Sequence, residues 1–271
     1  NKAWAQRYVE LLIPLLTRLS DGSIVHSDFD REIIARQYKL RGPLARIPLG
    51  AFDQYERPAP AQALRQAPEG VCNLLFFGVV RPFKGLEDLV AAFDSIPPSE
   101  IGRYWLTVVG EPWEGFNLPF DLIARSRYAN RITVVSRYVS DEEVSGYFAG
   151  ADVVVLPYHR SSASGPLHTA MSWGLPVIVT EVGGLPEAGA EYEGAVWVPP
   201  RSPSALRAAL ARAEALRGRH YADPHSWERK AHKYAALIEA LPPSRRQWAQ
   251  QAGRRAAEMT AEGEGHVDHA L

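Results

Sequence analysis

The sequence predicts a doubly wound α/β domain on a parallel sheet, and three observations predict it. Six short apolar runs recur: CNLLFFGVV (72–80), YWLTVVG (104–110), RITVVS (131–136), ADVVVLPY (151–158), LPVIVTEV (175–182) and GAVWVPP (194–200). Each run is nearly continuous in apolar residues and does not alternate, which marks strands covered on both faces. Helical patterns fill the intervals, and a strand–helix–strand order demands parallel pairing through crossovers.

In chain order, residues 4–22 carry apolar side chains at helical spacing, with a kink expected at Pro14. SIVHS (23–27) reads as a short strand. DFDREIIARQYKLRG (28–42) reads as a helix, with Asp28 as N-cap and Asp30 and Glu32 in its first turn. RIPLG (46–50) is a second short apolar stretch. The Pro-, Ala- and Gln-rich segment that follows reads as a linker. The expected organisation is a domain end plus crossover at 1–55, a linker at 56–70, the α/β domain at 71–243 and a polar tail at 244–271. Helices are expected at 85–96, 120–129, 140–150, 165–174, 185–192, 202–218 and 225–241. Pro166 suits a helix start, and Gly174 with Pro176 suits its stop.

Composition sets the class. The 271 residues are 46% hydrophobic and 23% charged, with a net charge of -1, so bulk charge points to no nucleic acid. One cysteine, Cys72, excludes a disulfide framework and fits a reducing cytoplasm. No apolar run approaches the roughly 20 residues of a membrane span, and no signal peptide is seen. The chain begins with Asn1, so a fragment or a processed product is expected.

Ligands of open parallel sheets bind at the carboxyl ends of the strands. The polar signals fall there. The first strand is followed by Arg81 and Lys84 between Gly78 and Gly85. Arginine offers a planar fork to phosphate oxygens and lysine a point charge. The fourth strand is followed by SSASGPL, where Ser164 and Gly165 occupy a cap and the dipole favours an anion. The fifth is followed by Gly183 and Gly184, which permit positive φ and close approach. Tyr138 and Val139 follow the third strand and offer an aromatic and a backbone edge to a nucleobase. Taken singly, each feature has a plainer reading as a solvated cation, a structural cap or a tight turn. His159 and His168 lack partners at metal-ligand spacing, and no nucleophile elbow or G-x-G-x-x-G is present.

Three stretches together, FFGVVRPFKGLEDLVAAF, DEEVSGYFAGADVVVLPY and SGPLHTAMSWGLPVIVTEVGGLPE, resemble the donor half of GT-B glycosyltransferases of family four, which retain anomeric configuration. The likeness covers roughly 71–241. It implies a Rossmann-like donor domain plus the remnant of a second Rossmann-like domain. It implies hexosyl transfer from a nucleotide-sugar, such as a UDP- or GDP-sugar, without metal or other cofactor. Arg81 and Lys84 would be the catalytic cations that neutralise the donor diphosphate. Gly78, Ser164, Gly165, Gly183 and Gly184 would border the donor, with Tyr138 and Val139 at the base and Gly50 at the interdomain cleft. Ser161 and Thr169 stand where the family carries two glutamates. The acceptor implied is a glycan, a lipid-linked or a small molecule. A cytoplasmic site is expected, with peripheral contact at the inner membrane face as an option; for helix 4–19, Pro14 and few basic residues favour burial in the N-terminal domain over membrane contact. A non-catalytic nucleotide-sugar binding module and a sugar-nucleotide epimerase are the alternatives.

Overall fold

The structure is a computed structural model that describes residues 2–52, 63–225 and 227–242. The expected tail at 244–271 and the first part of the expected linker, 56–62, lie outside the described residues. The chain divides into two compact units.

The smaller unit holds residues 1–25, 31–47 and 228–271. Its described part contains helix α1 (Lys2–Leu19), strand β1 (Ser23–Val25), most of helix α2 (Asp28–Gln37) and strand β2 (Leu44–Arg46). Pro14 stands inside α1, which runs on through it. β1 and β2 pair in parallel, Ser23 opposite Leu44 and Val25 opposite Arg46. The second strand therefore lies at 44–46, ahead of most of the RIPLG stretch. The Ile47 N–H still reaches the Val25 carbonyl at 2.9 Å. Pro48 has no N–H with which to continue the ladder. No helix among the described residues is long and apolar enough to cross a membrane.

The larger unit, residues 26–30 and 48–227, is the doubly wound domain. Its strands are β3 (Cys72–Phe77), β4 (Tyr104–Val109), β5 (Ile132–Val135), β6 (Val153–Leu156), β7 (Val177–Thr180) and β8 (Ala195–Val198). They form one sheet in the order β5-β4-β3-β6-β7-β8, and every pair is parallel. The helices α3 (Leu86–Asp94), α4 (Leu118–Arg125), α5 (Asp141–Ala149), α6 (Gly165–Ser172), α7 (Leu185–Ala188) and α8 (Pro203–Glu214) intervene and follow. The final helix, α9 (Trp227–Ala240), belongs to the smaller unit from residue 228 onward and matches the one expected at 225–241. The helix expected at 185–192 is shorter, since α7 gives way at Gly189.

Alternate residues of β3 explain the two layers. Cys72, Leu74 and Phe76 enter one apolar cluster with α3 and α8, while Leu75 enters another with α5 and α6. Both faces are covered, which is why the strands read as continuous apolar runs. One polar group in the sheet is fully satisfied. Asn73 donates to the Gly150 carbonyl at 2.8 Å, accepts from Thr107 Oγ1 at 2.7 Å, and its N–H donates to Asp152 at 2.7 Å.

Two local readings change. Ser27, not Asp28, caps α2: its Oγ accepts from the Asp30 N–H at 3.0 Å, while Asp28 is the first helical residue. Residues 63–70, expected as linker, are fastened to the domain. The Leu64 N–H donates to the Gly146 carbonyl at 2.8 Å, and Arg65 pairs with Asp152 at 2.9 Å.

Candidate functional site

β3 and β6 are neighbours in the sheet although two strands separate them in sequence. The winding reverses there, and a crevice opens outside their carboxyl ends. A cavity of about 1010 Å³ occupies that place. Its walls come from the turn after β3 (Gly78, Arg81, Lys84) and from the loop after β6 (His159, Arg160, Ser161). Val182 and Gly183 after β7 complete it, with Phe29 from the start of α2 and Pro166 from α6.

Local sequence shapes each wall. Gly78 has φ 116, a conformation that a side chain resists. Arg81 then precedes a single 3₁₀ turn, Pro82–Lys84, closed by Gly85 at φ 64. A Cβ on Gly85 would collide with the Pro157 carbonyl oxygen. That close approach lets the His159 N–H donate to the Phe83 carbonyl at 2.8 Å. The two cation-bearing loops are thus stitched together by backbone. His159 Nε2 lies 2.8 Å from Asp88 Oδ2, which fixes its ring against the start of α3.

The Ser-Gly and Gly-Gly turns meet. The Gly184 N–H donates to the Ser161 carbonyl at 3.2 Å. A Cβ on Gly183 would collide with Ser161 O, and one on Gly184 with Ser162 O. Both glycines admit a neighbouring loop, and Gly183 also borders the cavity.

Not every expected residue is brought to the wall. Arg81, Lys84, Gly78, Ser161 and Gly183 line the cavity; Ser164, Gly165, Thr169, Gly184, Tyr138 and Val139 do not. Ser164 is buried, and its Oγ accepts from the Leu167 N–H at 3.2 Å, which makes it the cap of α6. Pro166 has no N–H. Of the first three residues of α6, Gly165 alone keeps an N–H without a partner among the described residues. Thr169 turns back on its own helix, where its Oγ1 donates to the Gly165 carbonyl at 3.1 Å. Tyr138 and Val139 follow β5, an edge strand separated from β3 by β4. Tyr138 is 77% exposed and Val139 is packed in the core. Beside them the Arg137 guanidinium holds the Glu143 carboxyl down at about 2.

Two contributors were missed. Arg160 lines the cavity, and its signal was its place beside His159 at a strand end. Glu187, in the VGGLPE stretch, accepts the N–H groups of Asp28 and Phe29 at 2.6 and 2.9 Å. It thereby holds the turn that presents Phe29.

The electrostatics are one-sided. Arg81, Lys84 and Arg160 face the cavity, and no aspartate or glutamate among the described residues lines it. Each cation lies over an aromatic ring: Arg81 over Trp113 with 3.9 Å to the centroid, Lys84 over Tyr158 with 3.6 Å, and Arg160 over Phe83 with 5.0 Å. No group of three or more metal-ligating side chains is found among the described residues. Chemically, the arrangement can receive an anion with at least two charged oxygens.

Comparison with known proteins bears on the family and the fold. A model of the family described as Glycosyl transferases group 1 matches residues 72–215, just over half of the 271 residues. A D-inositol 3-phosphate glycosyltransferase of Geodermatophilus obscurus is 31% identical over 207 residues, covering 72% of this chain and 46% of that protein. The chain thus spans about half the length of the curated relatives it matches. Among solved structures, sucrose-phosphate synthase from Thermosynechococcus elongatus superposes with a TM-score of 0.66 at 23% identity, covering 92% of this chain and 61% of that one. Anabaena Alr3699/HepE, solved in complex with UDP and glucose, superposes with a TM-score of 0.64 at 16% identity, covering 93% of this chain and 67% of that one. At these identities the two structures speak for the fold alone.

Proposed function

The chain belongs to the glycosyl transferases group 1 family, and on that premise we propose that its cavity binds the diphosphate of a nucleotide-sugar whose hexosyl group passes to an acceptor with retention of configuration. The observation that carries this reading is the cavity wall itself, with three cations and, among the described residues, no carboxylate. The cavity volume, about 1010 Å³, suits a ligand larger than a bare phosphate. As the glycosidic bond breaks, negative charge grows on the leaving diphosphate. Arg81 and Lys84 stand where they would stabilise it, on a turn already fixed by backbone hydrogen bonds. Arg160 adds a third positive charge at the wall. The Gly165 N–H is the single backbone donor that the start of α6 has left to give.

The test is binding before turnover. Calorimetry with UDP, GDP and their glucose and mannose conjugates identifies the donor; UDP is the first probe because a structural neighbour holds it. Arg81→Ala and Lys84→Ala are each expected to weaken donor binding by about 1–3 kcal/mol, as for loss of a charged hydrogen bond. Unchanged affinity in both variants would sink the assignment.

One observation favours a second reading, a module that binds the donor without transferring it. Thr169 is engaged with its own helix and Ser161 Oγ donates to the Ala163 carbonyl at 2.8 Å, so neither is a free polar group aimed at a sugar. Incubating the full-length protein with radiolabelled donor and a membrane extract separates the two. Transfer supports the enzyme; a donor held without transfer or hydrolysis supports the module.

A further inference from the structure

Arg81 and Lys84 have no carboxylate partner among the described residues, although both carry full charges at a crowded loop junction. What holds them is aromatic. The Arg81 guanidinium carbon lies 3.9 Å from the centre of the Trp113 ring, and Lys84 Nζ lies 3.6 Å from that of Tyr158. A ring face attracts a cation through its quadrupole, but it does not neutralise the charge. A carboxylate in the same place would hold the cation equally well and would cancel the field that an incoming anion needs.

The surrounding chain delivers these rings. The Val80 N–H donates to the Glu111 carbonyl at 2.9 Å and the Trp113 N–H to the Val80 carbonyl at 3.0 Å. This short bridge sets Trp113 beside Arg81, the residue after Val80. The chain then turns at once, through Glu114 at φ 47 and Gly115 at φ 75. Trp113 itself is 45% exposed, so the apolar core does not account for its place. Tyr158 is the converse case. It is wholly buried, and its hydroxyl has no hydrogen-bond partner among the described residues. An unpaired buried hydroxyl costs free energy, so the ring face, and not the hydroxyl, is the part in use.

We propose that Trp113 and Tyr158 are positioning residues, which orient Arg81 and Lys84 by their ring faces and leave both charges available to the bound anion. The proposal rests on the reading above that the cavity takes a nucleoside diphosphate.

The experiment is calorimetry of the full chain with UDP and GDP. Trp113→Leu is expected to weaken binding about three- to ten-fold, the range of a partly desolvated cation–π contact. Trp113→Phe, which restores a ring, is expected to recover most of the loss. In an Arg81→Ala background, Trp113→Leu should add less than about a two-fold loss, because its partner is already gone. Tyr158→Leu should weaken binding and Tyr158→Phe should restore it. Because Tyr158→Leu also disturbs the core, the two substitutions at the half-exposed Trp113 are the decisive ones. Wild-type affinity in Trp113→Leu, or an equal loss with and without Arg81, overturns the proposal. If neither Arg81→Ala nor Lys84→Ala changes UDP or GDP binding, the nucleotide reading itself has failed, and that result is distinct from the first two.

Discussion

Two regions of the larger unit treat positive charge in opposite ways. Around the outer strands and the domain back, arginines meet carboxylates: Arg65 with Asp152 at 2.9 Å, Arg103 with Glu214 at 2.6 Å, and Arg137 with Glu143 at 2.9 Å. At the crevice between β3 and β6, Arg81, Lys84 and Arg160 meet rings. The first group spends its charge on structure. The second keeps its charge unspent, which is the condition for attracting an anion. A cation's partner therefore says more about its role than its presence in a loop does.

Four predictions sharpen or break this contrast. The largest effect should come from Asp152→Ala. Asp152 accepts from the Asn73 N–H at 2.7 Å and from Arg65 at 2.9 Å, and it is largely shielded. Its loss strands the Asn73 N–H and leaves Arg65 with the Gly150 and Val71 carbonyls alone, so urea unfolding should report a destabilisation of about 2–3 kcal/mol. Donor affinity measured on the folded fraction should stay as it was. A binding defect as large as that of Arg81→Ala would erase the contrast.

Arg160→Ala should behave in the reverse way. Binding of the UDP or GDP conjugate should weaken by about 1 kcal/mol, less than a fully desolvated charged contact, with little change in the urea midpoint. An unfolding defect without a binding defect would move Arg160 to the structural group.

The smallest effects belong to the start of α5. Ser140 and Glu143 form a capping box, so Ser140→Ala should cost about 0.5 kcal/mol in thermal unfolding, the low end for an exposed cap. Glu143 titrates at about 2 in the fold against an ordinary value of 4.5, chiefly because Arg137 hydrogen-bonds its charged form. A depressed carboxyl stabilises fully above the higher value and loses that contribution as pH falls through the lower one. The melting temperature should therefore decline between these two values, and Glu143→Gln should flatten the decline. An identical slope in the variant would assign the acid sensitivity elsewhere.

Much of the site was legible because it is local. A strand end, Arg81 and Lys84 three residues apart, and bracketing glycines sit within eight residues, and Gly78 and both cations reach the junction. The helix start at Ser164 was equally legible, but its use was not. The hydrogen bond from the Leu167 N–H makes the Ser164 hydroxyl the cap of α6, a use that spacing alone does not decide. Tyr138 and Val139 were placed by analogy with the other strand ends. The strand order sets them after the edge strand β5, and neither lines the cavity. Trp113 stood in the GEPWEGFN loop after the second strand, but its pairing had no local signal, since its partner Arg81 lies more than thirty residues earlier in the chain.

By itself the sequence determined the alternation of strand and helix, the covered faces of the sheet, and the residues where the chain must turn. Those properties follow from periodicity and from backbone freedom, which are settled within a few residues. The tertiary structure alone decided which loops meet. It made β3 and β6 neighbours, brought Trp113 and Tyr158 onto the two cations, and turned Thr169 away toward its own helix. Strand pairing and side-chain partners are chosen among distant residues competing for the same contact, and no stretch of local sequence contains that competition.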